Sequence, residues 1–147
     1  MELLSKAIIM ATRAHDGQID KAGKPYILHP LRVMMKVKSM DMKIVAVFHD
    51  IIEDTNLTIY DLVVEGFNNE IIDAIECLTK KENEDYMDFI ERCRVDYIAR
   101  IVKLADLDDN SDLSRIDIPT EKDYARSRKY KKAINYLLEV NHMKNEN

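Results

Sequence analysis

The sequence predicts a single all-α domain, and three observations lead to that fold class. The chain has 147 residues, 46% hydrophobic and 33% charged, so it can form one globular domain with its own core. It contains only 3 glycines and 3 prolines, whereas a protein of many short strands needs more turn residues. Apolar side chains recur at intervals of three and four residues, the spacing of a helix face. We expect the domain at residues 1–141 and a polar tail at 142–147.

The first half of the chain divides into helices and one long loop. Apolar spacing predicts a helix over residues 2–15, and residues 16–29 hold two of the three glycines and should form a loop. Pro30 suits the first turn of the next helix, where no N–H donor is needed. Residues 43–54 form the most hydrophobic segment, whose length and lack of alternation predict a central helix.

Two capping-box patterns organise the second half. Thr58 with Asp61 and Thr120 with Asp123 predict helix starts, and Gly66 can end the first of these helices. Apolar stripes predict further helices over residues 71–78, 86–93 and 98–110, and a last helix that ends near residue 140.

Charge and cysteine content exclude several classes of partner. The formal net charge of −5 gives no general basic surface, so we expect neither a nucleic-acid nor a membrane partner. Cys77 and Cys93 lie in apolar patterns without a CxxC motif, which favours two buried thiols in a reducing compartment. No signal peptide or membrane-spanning run is present, so a cytoplasmic location is expected. The oligomeric state is left open.

The most informative residues are polar groups inside apolar segments. His49 and Asp50 interrupt the most hydrophobic run, Asp106 lies in another apolar helix, and His29 stands at a junction between loop and helix. A buried ionised aspartate needs a partner or a cation, and two imidazoles with two carboxylates suit a divalent transition metal. Each of the four could also be a satisfied polar group of the core.

Further polar pairs stand four residues apart on predicted helices. Glu53 and Asp54 follow His49 and Asp50 by one turn, as candidates for general acid–base work or as a solvated helix end. Asn110 follows Asp106 by one turn and could bind substrate or cap the helix. A third pair could hold a phosphate and a base or lie on the surface, and it consists of Arg126 and Tyr130.

Four segments in this order resemble a known family. They are Ala14-His15-Asp16-Gly17-Gln18, Gly23-Lys24-Pro25-Tyr26-Ile27-Leu28-His29-Pro30, His49-Asp50-Ile51-Ile52-Glu53-Asp54-Thr55 and Lys103-Leu104-Ala105-Asp106. Together they resemble the hydrolase domain of the RelA/SpoT homologues, including the small stand-alone alarmone hydrolases. These are HD-domain metal-dependent phosphohydrolases, and the similarity extends over residues 3–138.

The resemblance implies a helical HD fold and hydrolysis of (p)ppGpp to GDP or GTP and pyrophosphate. It implies one divalent metal ion, usually Mn²⁺, with the ligands His29, His49, Asp50 and Asp106. It assigns water activation to Glu53 and Asp54. It assigns contacts with the guanine nucleotide to Arg13, Asn110, Arg126 and Tyr130.

Two departures remove positive charge that the family usually carries beside its substrate. Residues 105–110 read ADLDDN where these hydrolases typically read ADRLxN, and Ala14 stands where many have lysine. An HD phosphohydrolase acting on another nucleotide, such as a nucleoside monophosphate or NADPH, is therefore the main alternative. A non-catalytic nucleotide sensor is a further one.

Overall fold

The computed structural model is a bundle of helices joined by short loops, which confirms the predicted all-α class. It describes the backbone of residues 1–146 and the side chains of residues 1–139. In chain order the helices are α1 (Leu3–Ala14), α2 (Leu28–Met35), α3 (Met40–Phe48), α4 (Ile51–Asp54), α5 (Ile59–Val64), α6 (Asn69–Leu78), α7 (Tyr86–Val95), α8 (Tyr97–Ser111) and α9 (Glu121–Glu146). Within these residues there is no strand, only one isolated bridge between Ile19 and Pro25.

The sequence also predicts a polar C-terminal tail and the absence of a membrane-spanning segment. The last helix, predicted to end near residue 140, continues to Glu146, and the side chains of the predicted polar tail at 142–147 lie outside the described residues. Over the part of the chain that the structure covers, no helix combines the length and apolarity needed to cross a lipid bilayer.

Helix α3 is the centre of the bundle. It packs against α1, α2, α6 and α8, and its residues 44–48 are all buried. The ring of Phe48 meets that of Phe67 edge-on, with 5.0 Å between centroids. Because α2 and α8 both pack on α3, the segments that carry His29, His49 and Asp106 come together at one place.

The predicted helix over residues 43–54 is wrong in one respect. The helix begins at Met40 and ends at Phe48, and α4 starts only after His49 and Asp50. In an unbroken helix the carbonyl of Ala46 would accept the N–H of Asp50. Instead it accepts the ring Nδ1–H of His49 at 2.7 Å, and Asp50 leaves helical geometry at φ −108° and ψ 2°. The break turns both side chains toward one centre.

The predicted helix starts are confirmed. Thr58 and Asp61 form a reciprocal capping box at the start of α5. Thr120 and Asp123 make the corresponding two bonds before α9, at 2.8 and 3.4 Å between the backbone nitrogens and the side-chain oxygens. Gly66 follows α5 with φ +98°, a conformation that glycine adopts without strain, so the chain turns there as expected.

An ion pair between Glu84 and Arg92 ties the loop after α6 to α7. Arg92 donates to both carboxylate oxygens of Glu84, at 2.7 and 2.8 Å, and to the carbonyl of Thr79 at 2.8 Å. The hydrogen bonds from Arg92 lower the pKa of Glu84 to about 2. The charged pair therefore adds stability above the ordinary glutamate pKa, and that stability is lost as the pH falls through the lowered value.

We expect Glu84→Gln to lower the melting temperature near neutral pH, and the difference from wild type to vanish as the pH falls to about 2. Thermal unfolding of both proteins across that range measures it. A difference that is independent of pH would show that the ionised carboxylate does not stabilise the fold.

Candidate metal centre and substrate cavity

The four predicted metal ligands meet where α2, α8 and the break after α3 come together. The Nε2 atoms of His29 and His49 lie 3.2 Å apart, and Oδ1 of Asp106 lies 2.9 and 3.2 Å from them. Oδ2 of Asp50 lies 3.0 Å from the Nε2 of His49 and 3.9 Å from that of His29. The ligand atoms of His29, His49 and Asp50 are all within 4.8 Å of one another, so these residues could hold one metal ion.

Hydrogen bonds on the far side of each imidazole fix which nitrogen faces the centre with a lone pair. Nδ1 of His49 donates to the carbonyl of Ala46, and Nδ1 of His29 donates to Oδ2 of Asp109, each at 2.7 Å. In the neutral rings both Nε2 atoms are therefore acceptors, and they face two carboxylate oxygens, which also accept. A proton on a ring or a bound cation can satisfy such a set, and the mixed nitrogen and oxygen donors suit a divalent transition metal.

Asp109 is a site residue that the sequence does not reveal. It is 3% exposed and lies on α8, three residues after Asp106. Arg32 donates to both of its carboxylate oxygens at 2.9 and 3.0 Å, and Arg115 donates to its backbone carbonyl at 3.0 Å. Burial would raise the pKa of Asp109, but hydrogen bonds from His29 and Arg32 hold it well below its usual range. Asp109 is thus an ionised carboxylate that orients the imidazole of His29.

The carboxylates of Asp50 and Asp106 have partners of their own. The hydroxyl of Tyr26 donates to Oδ2 of Asp50, and Nζ of Lys103 donates to Oδ2 of Asp106 at 2.8 Å. Burial disfavours the charge of Lys103, but the adjacent Asp106 carboxylate outweighs it and raises the pKa of the ammonium group. Lys103 therefore binds the outer oxygen of Asp106 and leaves Oδ1 toward the centre. The pattern of polar residues in apolar helices does not single out Tyr26 or Lys103.

Glu53 and Asp54 end α4, but their carboxylates have different surroundings. Oε1 of Glu53 accepts the backbone N–H of Lys80 at 2.5 Å. Asp54 accepts Nε2 of Gln18 at its backbone carbonyl, at 2.9 Å, and no described residue donates to its carboxylate. Burial raises the pKa of both acids, and the charge of Asp50 raises it further. Asp54 is therefore the acid whose carboxylate is left to meet a ligand.

A cavity of about 360 Å³ opens beside His29, a volume in the range of small-molecule sites. Three of the four predicted substrate-binding residues line it, namely Asn110, Arg126 and Tyr130. Asn110 donates to Oδ1 of Asp106 at 3.0 Å and is not the helix cap, since α8 ends at Ser111 with Asp112 as its cap. The wall also carries charged side chains of both signs, cationic at Lys21, Arg32 and Arg115 and anionic at Asp20, Asp112 and Asp123.

Arg13, the fourth predicted substrate-binding residue, lies apart from the other three. It lines a second cavity of about 410 Å³, together with Thr55 and Asn56. Thr55 directly follows Asp54, so this second cavity adjoins the end of α4. The structure does not bring Arg13 into the wall of the cavity beside His29.

Metal binding at this centre is expected to depend on pH. Burial disfavours the charged form of His49, but the carboxylates of Asp50 and Asp106 outweigh it and raise its pKa well above the usual value. Hydrogen bonds to Asp106 and Asp109 likewise outweigh burial and raise the pKa of His29. Because the metal needs the neutral rings, protons compete with it, and affinity should fall as the pH is lowered through these raised values.

Isothermal titration with Mn²⁺ at several pH values above and below about 6.5, the ordinary histidine pKa, measures this dependence. We expect proton release on binding, and release that is larger at lower pH. An affinity that does not change with pH would contradict a centre built on the two imidazoles.

Two histidines and two aspartates that converge at a helix break in an all-helical chain define an HD-type domain. A solved structure supports this class, and it is described as a metazoan orthologue of SpoT that hydrolyses ppGpp. The two folds agree with a TM-score of 0.77 at 21% identity, over 94% of this chain and 86% of that chain. At 21% identity, this similarity shows that the two proteins share a fold and shows nothing about a shared activity.

The sequence relatives identify the particular group within this class. The chain is 32% identical, over 121 residues, to a guanosine-3′,5′-bis(diphosphate) 3′-pyrophosphohydrolase of Aquifex aeolicus. This match covers 74% of this chain and 17% of the relative. It is 30% identical, over 144 residues, to a GTP pyrophosphokinase of Myxococcus xanthus, and this match covers 86% of this chain and 19% of the relative. The chain is a homologue of the RelA/SpoT proteins with an HD-type domain, and it spans less than a fifth of these relatives' length. No protein-family model matches it.

Proposed function

We propose that the chain is a metal-dependent phosphohydrolase that removes pyrophosphate from the 3′ position of ppGpp or pppGpp. The observation that carries this proposal is the four-ligand centre beside a cavity that also presents Asn110, Arg126 and Tyr130. Relatives whose names state this activity cover between 51% and 74% of the chain and support a guanine nucleotide as substrate.

The proposed cofactor is one divalent metal ion, Mn²⁺ in the first place, held by His29, His49, Asp50 and Asp106. Such an ion supplies positive charge that acidifies a water molecule and polarises a phosphoryl oxygen. The chain itself keeps the ligand set in place, because Asp109 orients His29 and Lys103 binds the outer oxygen of Asp106. These contacts prepare the centre before substrate arrives.

We assign the role of proton acceptor to Asp54. Its carboxylate accepts no hydrogen bond from the described residues, whereas that of Glu53 accepts the N–H of Lys80. A base is most effective when its pKa lies close to the working pH, and burial moves the pKa of Asp54 in that direction. Glu53 is then a residue that fixes the loop after α6.

The cavity wall carries basic residues although the ADLDDN segment lacks one. Leu107 stands where the family motif has arginine, and it is fully buried in the core. Lys21, Arg115 and Arg126 line the cavity, but Arg115 pairs with Asp112 and Arg126 pairs with Asp123 on the same wall. An anionic nucleotide would therefore compete with these carboxylates for the two guanidinium groups, and the local charge, including that of a bound metal ion, would decide its binding.

The test is turnover by the purified chain with Mn²⁺, with ppGpp, deoxynucleoside monophosphates and NADPH assayed in parallel. We expect ppGpp to give GDP and pyrophosphate, and His49→Ala to abolish both turnover and bound metal. Release of orthophosphate alone, or preference for another substrate, would reject the alarmone assignment. Binding of ppGpp without turnover would favour a nucleotide sensor.

A further inference from the structure

We propose that His15 and Gln18 are positioning residues that hold Asp54 for proton transfer. This inference rests on the proposed function, in which Asp54 is the proton acceptor. Both residues lie in the loop that joins α1 to α2, outside the metal centre and the cavity beside it.

The backbone of this loop returns Gln18 to the ring of His15. The N–H of Gln18 donates to the carbonyl of His15 at 3.0 Å, which closes a tight turn. Gly17 stands inside the turn with φ +84°, a conformation that L side chains rarely adopt. As a result, Nδ1 of His15 lies 2.9 Å from Oε1 of Gln18.

The directions of the hydrogen bonds follow from one fixed acceptor. The backbone carbonyl of Asp54 can only accept, so the NH₂ group of Gln18 faces it, at 2.9 Å. Oε1 of Gln18 then faces His15, and Nδ1 of His15 must carry the proton. Asp54 is the last residue of α4, where carbonyls lack donors within the helix. The pair of side chains therefore fixes the residue that carries the free carboxylate.

A histidine at position 15 is unusual if the residue only stabilises the fold. It is 1% exposed, and its Nε2 atom has no hydrogen-bond partner among the described residues. A buried polar atom without a partner destabilises the folded state, so a purely structural position favours an apolar or fully bonded side chain. The ring also packs on Tyr26 at 5.0 Å between centroids, and Tyr26 donates to Asp50. One loop thus holds both an acid and a metal ligand.

The experiment compares variants that keep or remove the bond to Gln18. Gln18→Met and His15→Leu should each lower kcat about 10- to 100-fold, the effect of a small displacement of a reacting group. KM and Mn²⁺ content should stay unchanged. His15→Asn places an N–H where Nδ1 lies and should restore most of kcat. Lys24→Met, an exposed change in the same loop, is the matched control and should leave kcat unaltered.

A double variant distinguishes positioning from a general loss of structure. Gln18→Met should cause no further loss of rate in the Asp54→Asn background, because both changes affect one group. An equal loss in both backgrounds, or unaltered kcat in Gln18→Met, would overturn the inference while wild-type turnover upholds the proposed function. Wild-type protein inactive on ppGpp would reject the proposed function, and the inference with it.

Discussion

Asp109→Asn is expected to weaken Mn²⁺ binding by about 10- to 100-fold, the usual effect of removing a carboxylate that orients a metal-binding histidine. The carboxylate accepts Nδ1–H of His29 at 2.7 Å and makes the ring a stronger ligand at Nε2. An amide oxygen accepts a weaker hydrogen bond. The substitution also leaves the guanidinium of Arg32 without the charge that it contacts at 2.9 Å.

The adjacent Asp108 provides a matched control. Asp108→Asn makes the same change in net charge one residue away, but its side chain is 66% exposed and pairs with Lys36 on the surface. We expect the affinity for Mn²⁺, measured by isothermal titration, to remain near the wild-type value. If both variants lose affinity equally, the effect is one of net charge and Asp109 does not orient His29.

These neighbouring acids show which part of the site a sequence can reveal. In the sequence, Asp108 and Asp109 are two adjacent acids in the ADLDDN segment, and nothing in that segment distinguishes one from the other. The structure separates them, because one points to solvent and the other meets Arg32, 77 residues away in the chain. Polar ligands stand out against apolar helices, but a pairing between distant segments leaves no periodic signal. Asp109 therefore could not be recognised as a site residue from the sequence around it.

The fold could be predicted from the sequence more fully than the geometry of the site. Helix faces and capping boxes are local, so their positions follow from spacing within one turn or two. The break at His49 and Asp50 could not be predicted from local spacing, because the apolar run continues through it. It depends on a side-chain bond to Ala46 that competes with the helix ladder. The placement of Arg13 in a second cavity likewise depends on how α1 packs.

Asp54→Asn is expected to lower kcat for ppGpp by about 10²- to 10⁴-fold, the contribution of a general base. Glu53→Gln is the matched change at the neighbouring acid, and its effect should be much smaller. The glutamine oxygen can still accept the N–H of Lys80, so the loop after α6 keeps its contact. Steady-state turnover with equal Mn²⁺ content in both variants measures the difference. A larger loss in Glu53→Gln would reverse the assignment.

The pH profile gives the same assignment an independent test. A general base must be ionised, so activity falls as the pH is lowered through the pKa of Asp54. Burial and the neighbouring charge of Asp50 raise that pKa, which moves the acidic limb of the profile above the ordinary aspartate range. In Asp54→Asn the residual rate should lose this limb, whereas Glu53→Gln should keep it. Because metal binding also weakens at low pH, the profile must be measured with saturating Mn²⁺, where only the base is left to titrate.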